Sequence, residues 1–165
     1  MAEPQYYEEQ KFPHARLRIL TAIPPAAMTL LAIWQVGLGH AWGKQPMSNT
    51  SVIGWTIFLW LIYLRLITVK LVTELFPGEL RVAMRGLWRS AKISLKHVKS
   101  VGVLRFDPTA DWGGYGVRRG SRGTAYIAAG NEGVELQMID GSILLVGSGN
   151  AAALASAISR QLPHN

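Results

Sequence analysis

The chain has 165 residues, 49% of them hydrophobic and only 16% charged, with no cysteine and a formal net charge of +7. With no thiol there is no disulfide framework, Cys-ligated zinc, iron–sulfur cluster or cysteine nucleophile. The charged fraction lies well below the roughly 25% of an average soluble domain, and the cationic balance implies anionic neighbours, phospholipid headgroups or nucleic acid.

Residues 1–18 are polar and of mixed charge (Glu3, Glu8, Glu9, Lys11, Arg16, Arg18), with Tyr6, Tyr7 and Phe12 as interfacial aromatics. They read as an N-terminal segment outside the membrane. From Ile19 to Leu38 no residue is charged, and a helix of about twenty residues spans about 30 Å, the hydrocarbon thickness of a bilayer. Pro24 and Pro25 either start this helix or kink it. A turn over 40–51 carries Gly43, Pro46 and Asn49. The second apolar run, 52–64, continues past Arg65, so a second spanning helix is expected from about Ser51 to Lys70, with Arg65 and Lys70 snorkelling to the headgroups. The expected hairpin therefore covers 19–70.

Two plainer readings of the runs are a buried helix of a soluble protein and a cleaved signal peptide ending at Gly39-His40-Ala41. Two adjacent runs of this length fit poorly into one small core, and the first is too long and too acidic in its leader for a signal. Basic residues flank both outer ends (Lys11, Arg16, Arg18; Arg65, Lys70, Arg81, Arg85), whereas the connecting turn has only Lys44. Both termini are therefore expected in the cytoplasm.

From Leu71 the period shortens to that of strands. Seven segments rich in β-branched and aromatic residues follow: LVTEL, LRVAMR, WRSAKISL, VGVLRF, GTAYIAA, GVELQM and SILLVG. Leu80, Val82 and Met84 alternate with Arg81, Ala83 and Arg85; Val134, Leu136 and Met138 alternate with Glu135 and Gln137, which assigns each first set to a core. Asp140-Gly141 signals a two-residue hairpin. The end is helical: Asn150 as N-cap, Leu154, Ala155, Ile158 and Leu162 on one face, and Pro163 as the stop.

Seven strands closed by a C-terminal amphipathic helix, spanning 71–165, resemble the pleckstrin-homology (PH-like) fold, two near-orthogonal antiparallel sheets with a helix over one open end. More specifically, the chain resembles the bacterial membrane-anchored PH-domain proteins, which place two helices before such a domain. The residues that carry the likeness are TELFPGELRV, KISLKHVKSV, DWGGYGVRRG and GTAYIAAGNEGVELQMIDGSILLVGS. It covers about 65–165, and the preceding hairpin in architecture only. The resemblance implies a membrane α-helical hairpin plus a seven-stranded PH-like sandwich or barrel at a bacterial inner membrane. It implies no activity.

Charge singles out the candidate site. Twelve basic residues and four acids lie between Arg65 and Arg122. Arg85, Arg89 and Lys92 fall on two consecutive strands, and Arg118, Arg119 and Arg122 in or beside the Gly-rich loop Trp112–Gly120. Together they form a candidate surface for anionic lipid or an acidic partner. The plainer readings are positive-inside flanking charge and a loop that needs glycine for positive φ. The loop lacks the Gly-Lys-Ser/Thr ending of a nucleotide-binding loop. The histidines (His14, His40, His97, His164) lack ligand spacing, Asp107-Pro108 is a turn signature rather than half of an acid–base pair with Asp111, and Ser148 lacks a nucleophile elbow. Gln35, inside the first span, hints at a bond to another helix. The expected function is a non-enzymatic, cofactor-free membrane scaffold that binds a protein or lipid at the cytoplasmic face; the alternative is an accessory subunit of a larger membrane complex. Nucleic acid is disfavoured, since the cations follow the second span and no binding motif is present.

Overall fold

The computed structural model describes residues 3–12, 15–86, 89–120 and 122–162. They form two compact units: one is the chain up to Phe12 together with Val69 onward, the other residues 13–68.

The second unit is a helical hairpin. Helix α1 runs Ala15–Ala32 and passes into a π-helical turn, Ile33–Gly37; helix α2 runs Asn49–Ile67. The stretches Arg18–Gly37 and Asn49–Ile67 are each long and apolar enough to cross a membrane. Pro24 and Pro25 lie inside α1, well after its start, so they do not begin the helix. α2 ends before Lys70, three residues earlier than the sequence suggests, because Lys70 is taken by a strand. Polar side chains stitch the helices: Thr56 Oγ1 donates to the Met28 carbonyl at 3.2 Å, and Trp60 Nε1 donates to Thr29 Oγ1 at 2.9 Å. In an apolar medium such bonds are favoured because the donors have no water to turn to.

Among its described residues the first unit holds nine strands. Strands β1 (Tyr6–Lys11), β2 (Lys70–Phe76), β3 (Glu79–Arg85) and β4 (Arg89–Ser94) form one antiparallel sheet in that order. Strands β5 (Val98–Arg105), β6 (Gly116–Gly120), β7 (Gly123–Ile127), β8 (Glu132–Met138) and β9 (Ile143–Gly147) form the other, in the order β5-β8-β9-β7-β6. All of its pairings are antiparallel except β7 with β9, which run parallel. Helix α3 (Pro108–Trp112) precedes β6 and helix α4 (Ala151–Ser159) ends the unit.

All seven expected segments are strands; β1 and β6 are additional. β1 escapes a hydropathy reading because two of its three inward positions are polar: Tyr6, Glu8 and Gln10 face the core side opposite Leu75, Thr73 and Leu71. Within the N-terminal segment, residues 6–11 thus supply a sheet edge. β6 (GVRRG) lies in what reads as a loop and has no apolar alternation. The β8–β9 connection also differs. Gly141 N donates to the Met138 carbonyl at 3.0 Å and Met138 N to Ser142 O at 2.9 Å, with Gly141 at φ 83°. That is a three-residue loop, a type I turn followed by a left-handed residue, in place of a two-residue turn.

One core fills the space between the sheets. Leu71, Leu75, Leu80, Val82 and Met84 meet Val134, Leu136, Leu144 and Val146, and Leu154, Ala155 and Ile158 of α4 pack into the same cluster, with Leu162 half-buried against it. α4 starts as the sequence suggests, with Asn150 Oδ1 accepting from Ala153 N at 3.2 Å; Pro163 lies outside the described residues. Leu136 is fully buried, so Leu136→Ala should lower the unfolding free energy of this unit by about 3 kcal/mol. Denaturant unfolding of the full chain in micelles, followed by the β-sheet circular dichroism signal, measures it; an unchanged midpoint would refute the assigned face.

Candidate interaction surface

The Gly-rich segment is ordered by the caps of α3. Asp107 Oδ1 accepts from Thr109 N (2.7 Å) and Ala110 N (2.9 Å), while Asp111 Oδ2 accepts from Asp107 N (2.8 Å). Pro108 opens the helix, where its missing N–H is no loss. Gly113, at φ 70°, closes it; its N–H goes to Thr109 O (3.1 Å) and that of Gly114 to Pro108 O (2.6 Å). Asp107 and Asp111 are therefore the two halves of a cap, and the first two glycine N–H groups are committed to the helix end and unable to cradle an anion. The two bonds that Asp107 accepts hold its carboxyl below the usual range.

α3 lies over the outer face of the five-stranded sheet, where Phe106, Ala125, Ile127 and Leu145 form a second buried cluster flanked by Leu104, Trp112 and Tyr115. β6 and β7 form a hairpin there. Arg118 and Arg119 are consecutive on β6, opposite Ala125 and Thr124, so they point to opposite faces. Arg122 lies in the turn. All three are exposed, and none makes an ion pair within the described residues. A guanidinium nitrogen of Arg118 lies 3.1 Å from where a Cβ on Gly114 would sit, so the glycine leaves room for the arginine to lie along the backbone.

The other three candidates occupy the four-stranded sheet. Arg85 ends β3 on the outer face and faces Glu74 at 3.8 Å. Lys92 lies opposite Arg81 on that face, exposed and without an ion pair among the described residues. Arg89 is the register partner of the inward-facing Met84; its side chain lies outside the described residues. This face also pairs Lys70 with Glu9 (2.7 Å) and Arg81 with Glu79, and Arg81 lies 4.4 Å over the Phe76 ring. Glu9, Glu74 and Glu79 thus neutralise part of this face, and the Lys70 contact holds the Glu9 carboxyl low. The six cations form two groups on two sheets.

Among the described residues Glu8 accepts more side-chain and backbone hydrogen bonds than any other acid, and the sequence pattern gives it no role. Its Oε2 accepts from the Tyr6 hydroxyl (2.6 Å) and the Ser148 hydroxyl (2.6 Å), and its Oε1 from Gln10 Nε2 (2.7 Å) and Gly149 N (2.6 Å). Gln10 also reaches the Gly147 carbonyl at 3.1 Å. Partial burial opposes ionisation, yet donation from Ser148, Tyr6, Gln10 and Gly149 outweighs it and keeps the carboxyl below the usual range. The Tyr6 phenol is pushed up to about 12 by burial and by its bond to that carboxylate. The network joins β1 to the β9–α4 junction and explains Ser148 as a structural donor. The only sign of it in the sequence is the Tyr-x-Glu-x-Gln alternation over 6–10.

Gln35 is buried and bonded within its own hairpin, to the Met47 carbonyl and, at 3.1 Å, to Asn49 Oδ1. His40 packs on Trp34, centroids 5.0 Å apart, and His97 is exposed; His14 and His164 lie outside the described residues. No protein-family model matches this sequence, and a search of curated proteins finds no match.

Proposed function

We propose that the chain is a non-enzymatic, membrane-anchored scaffold whose β unit, a two-sheet domain of PH-like type closed by α4, engages anionic lipid or an acidic protein at the cytoplasmic face. The observation that carries this reading is the β6–β7 hairpin, which presents Arg118, Arg119 and Arg122 exposed and free of ion pairs among the described residues. The cations of the four-stranded sheet are mostly occupied by glutamates and rank second. Surface ion pairs are individually weak, so what matters is that the hairpin arginines have no competitor to displace.

A shared side of the membrane for both ends is supported by register as well as by flanking charge. Lys11, the last residue of β1, is the Cα partner of Lys70, the first of β2. The chain therefore leaves this unit and re-enters it at adjacent positions, as a hairpin that crosses a bilayer twice requires. The accessory-subunit reading draws less support, because the amide nitrogen of Gln35, the residue that hinted at another helix, is engaged inside the chain.

The test exploits that adjacency. Replacing residues 13–68 by a short Asn-Gly turn should join β1 to β2 and give a soluble β unit, its folding checked first by circular dichroism. It should float with anionic vesicles at about 0.1 M salt and release at about 1 M, as the Debye length falls from about 10 Å to about 3 Å. Arg118→Glu, Arg119→Glu and Arg122→Glu together should reduce binding by about tenfold or more, at roughly 1 kcal/mol per basic residue, whereas Gln137→Ala should not. Equal flotation with neutral vesicles, or indifference to both salt and reversal, would refute the lipid arm.

A further inference from the structure

The five-stranded sheet buries its inner face in the main core, so the apolar layer on its outer face is not needed to close the sandwich. That layer borders a cleft of about 400 Å³ with Leu104, Phe106, Trp112 and Ile143 among its lining residues. The volume is within the range of about 300–1,000 Å³ typical of small-molecule sites. Four charged residues complete the lining: Arg105, Asp111, Arg122 and Glu135.

Two of the four are already engaged. Arg105 faces Glu132 at 3.4 Å, and Asp111 accepts from the Asp107 N–H at 2.8 Å. Arg122 and Glu135 are not: neither pairs with the other or with any other ion within the described residues. Register explains why Glu135 has no ion pair across the strands: its cross-strand neighbours, Gly102 on β5 and Leu145 on β9, are both uncharged.

We propose that this cleft binds a small zwitterion of the α-amino-acid type, with its anionic group at Arg122, its protonated amine at Glu135 and an apolar body against Trp112 and Phe106. A ligand that carried only negative charge would meet the Glu135 carboxylate, and one that carried only positive charge would meet Arg122; Glu135 is partly withdrawn from water, which sharpens the first penalty. A ligand with both charges answers both groups. The site does not depend on the scaffold reading.

The experiment titrates L-phenylalanine into the full chain in detergent micelles, observed by saturation-transfer NMR, beside L-phenylalaninamide and N-acetyl-L-phenylalanine, which each lack one charge. The free amino acid should bind saturably and both blocked forms about tenfold more weakly or worse, a difference of about 1.4 kcal/mol. Arg122→Glu and Glu135→Lys should each weaken binding by a similar factor; Arg122→Gln supplies a milder variant if a reversal disturbs the fold. Absence of saturable binding, equal binding of a blocked form, or single variants that bind like the parent chain would overturn the proposal.

Discussion

Gly123→Ala should be the most damaging single-methyl change in the β unit, lowering its unfolding free energy by about 4 kcal/mol or more. A Cβ at this position would lie 1.9 Å from the Ile143 carbonyl oxygen, and the backbone stands at φ 137°. A non-glycine residue in such a conformation costs of order 1–3 kcal/mol. The clash adds to this, because its partner is backbone and yields only if β7 moves away from β9. Gly123 is the register partner of Ile143 in the parallel pairing, so that movement breaks ladder bonds worth about 1 kcal/mol each and opens both clusters beside them. Gly120→Ala, three residues away in the same hairpin, is the control: among the described residues nothing lies within 4 Å of its added Cβ, and its φ is not in the positive region, so it should stay within about 0.5 kcal/mol of the parent. Denaturant unfolding of the full chain in micelles compares the two; similar losses would mean that the β7–β9 contact is not what the glycine protects.

Glu8→Ala should cost about 4 kcal/mol. It leaves the Ser148 hydroxyl, the Gly149 N–H, the Tyr6 hydroxyl and one Gln10 amide bond without their common acceptor, and hydrogen bonds to a charged group contribute about 1.5–3 kcal/mol each before solvent compensates in a half-exposed site. Amide hydrogen exchange should show β1 freed first, because β1 is a sheet edge and Glu8 ties it to the far side of the unit. The pH dependence follows from the direction of the shift. A carboxyl held below its usual value of 4.5 in the folded protein contributes stability that is full above that value and fades as pH falls through the lower, folded one. Glu9, Asp107 and Asp140 are shifted in the same direction, so acid destabilisation should persist in Glu8→Gln with a shallower slope, by up to one proton. A Glu8→Gln slope identical to the parent's would remove Glu8 from the account.

What the sequence made legible is what hydropathy encodes. Leu80, Val82 and Met84, or Val134 and Leu136, announce their faces because burial alone selects them, and Asn150 announces α4 through a local cap. β1 was hidden because its inward positions are filled by Tyr6, Glu8 and Gln10, whose partners lie as far as 141 residues away in Gly149. β6 was hidden because it pairs on one side only, as a sheet edge, and carries arginine where a core strand carries valine. The candidate cations were readable as two local sets, but not their ion pairs or their placement on separate sheets. Glu74 is brought to Arg85 by strand pairing, and the split of six cations between two sheets follows from sheet order. The cleft beside Arg122 draws on five separate chain segments, from Leu104 to Ile143, and no local pattern marks it.

The order in which the chain is made bears on the clasp at Glu8. β1 is synthesised before the other strands, yet its one strand partner among the described residues, β2, emerges some sixty residues later, and the Ser148 and Gly149 donors later still. Until then the strand has neither neighbour nor counterpart for its carboxylate, and the entropy of closing so long a loop must be met before any of those contacts forms. The first strand is therefore the last to be secured. Its docking reports that both the hairpin and the C-terminal helix have already been produced, so a truncated chain would leave its N-terminal end exposed to proteases.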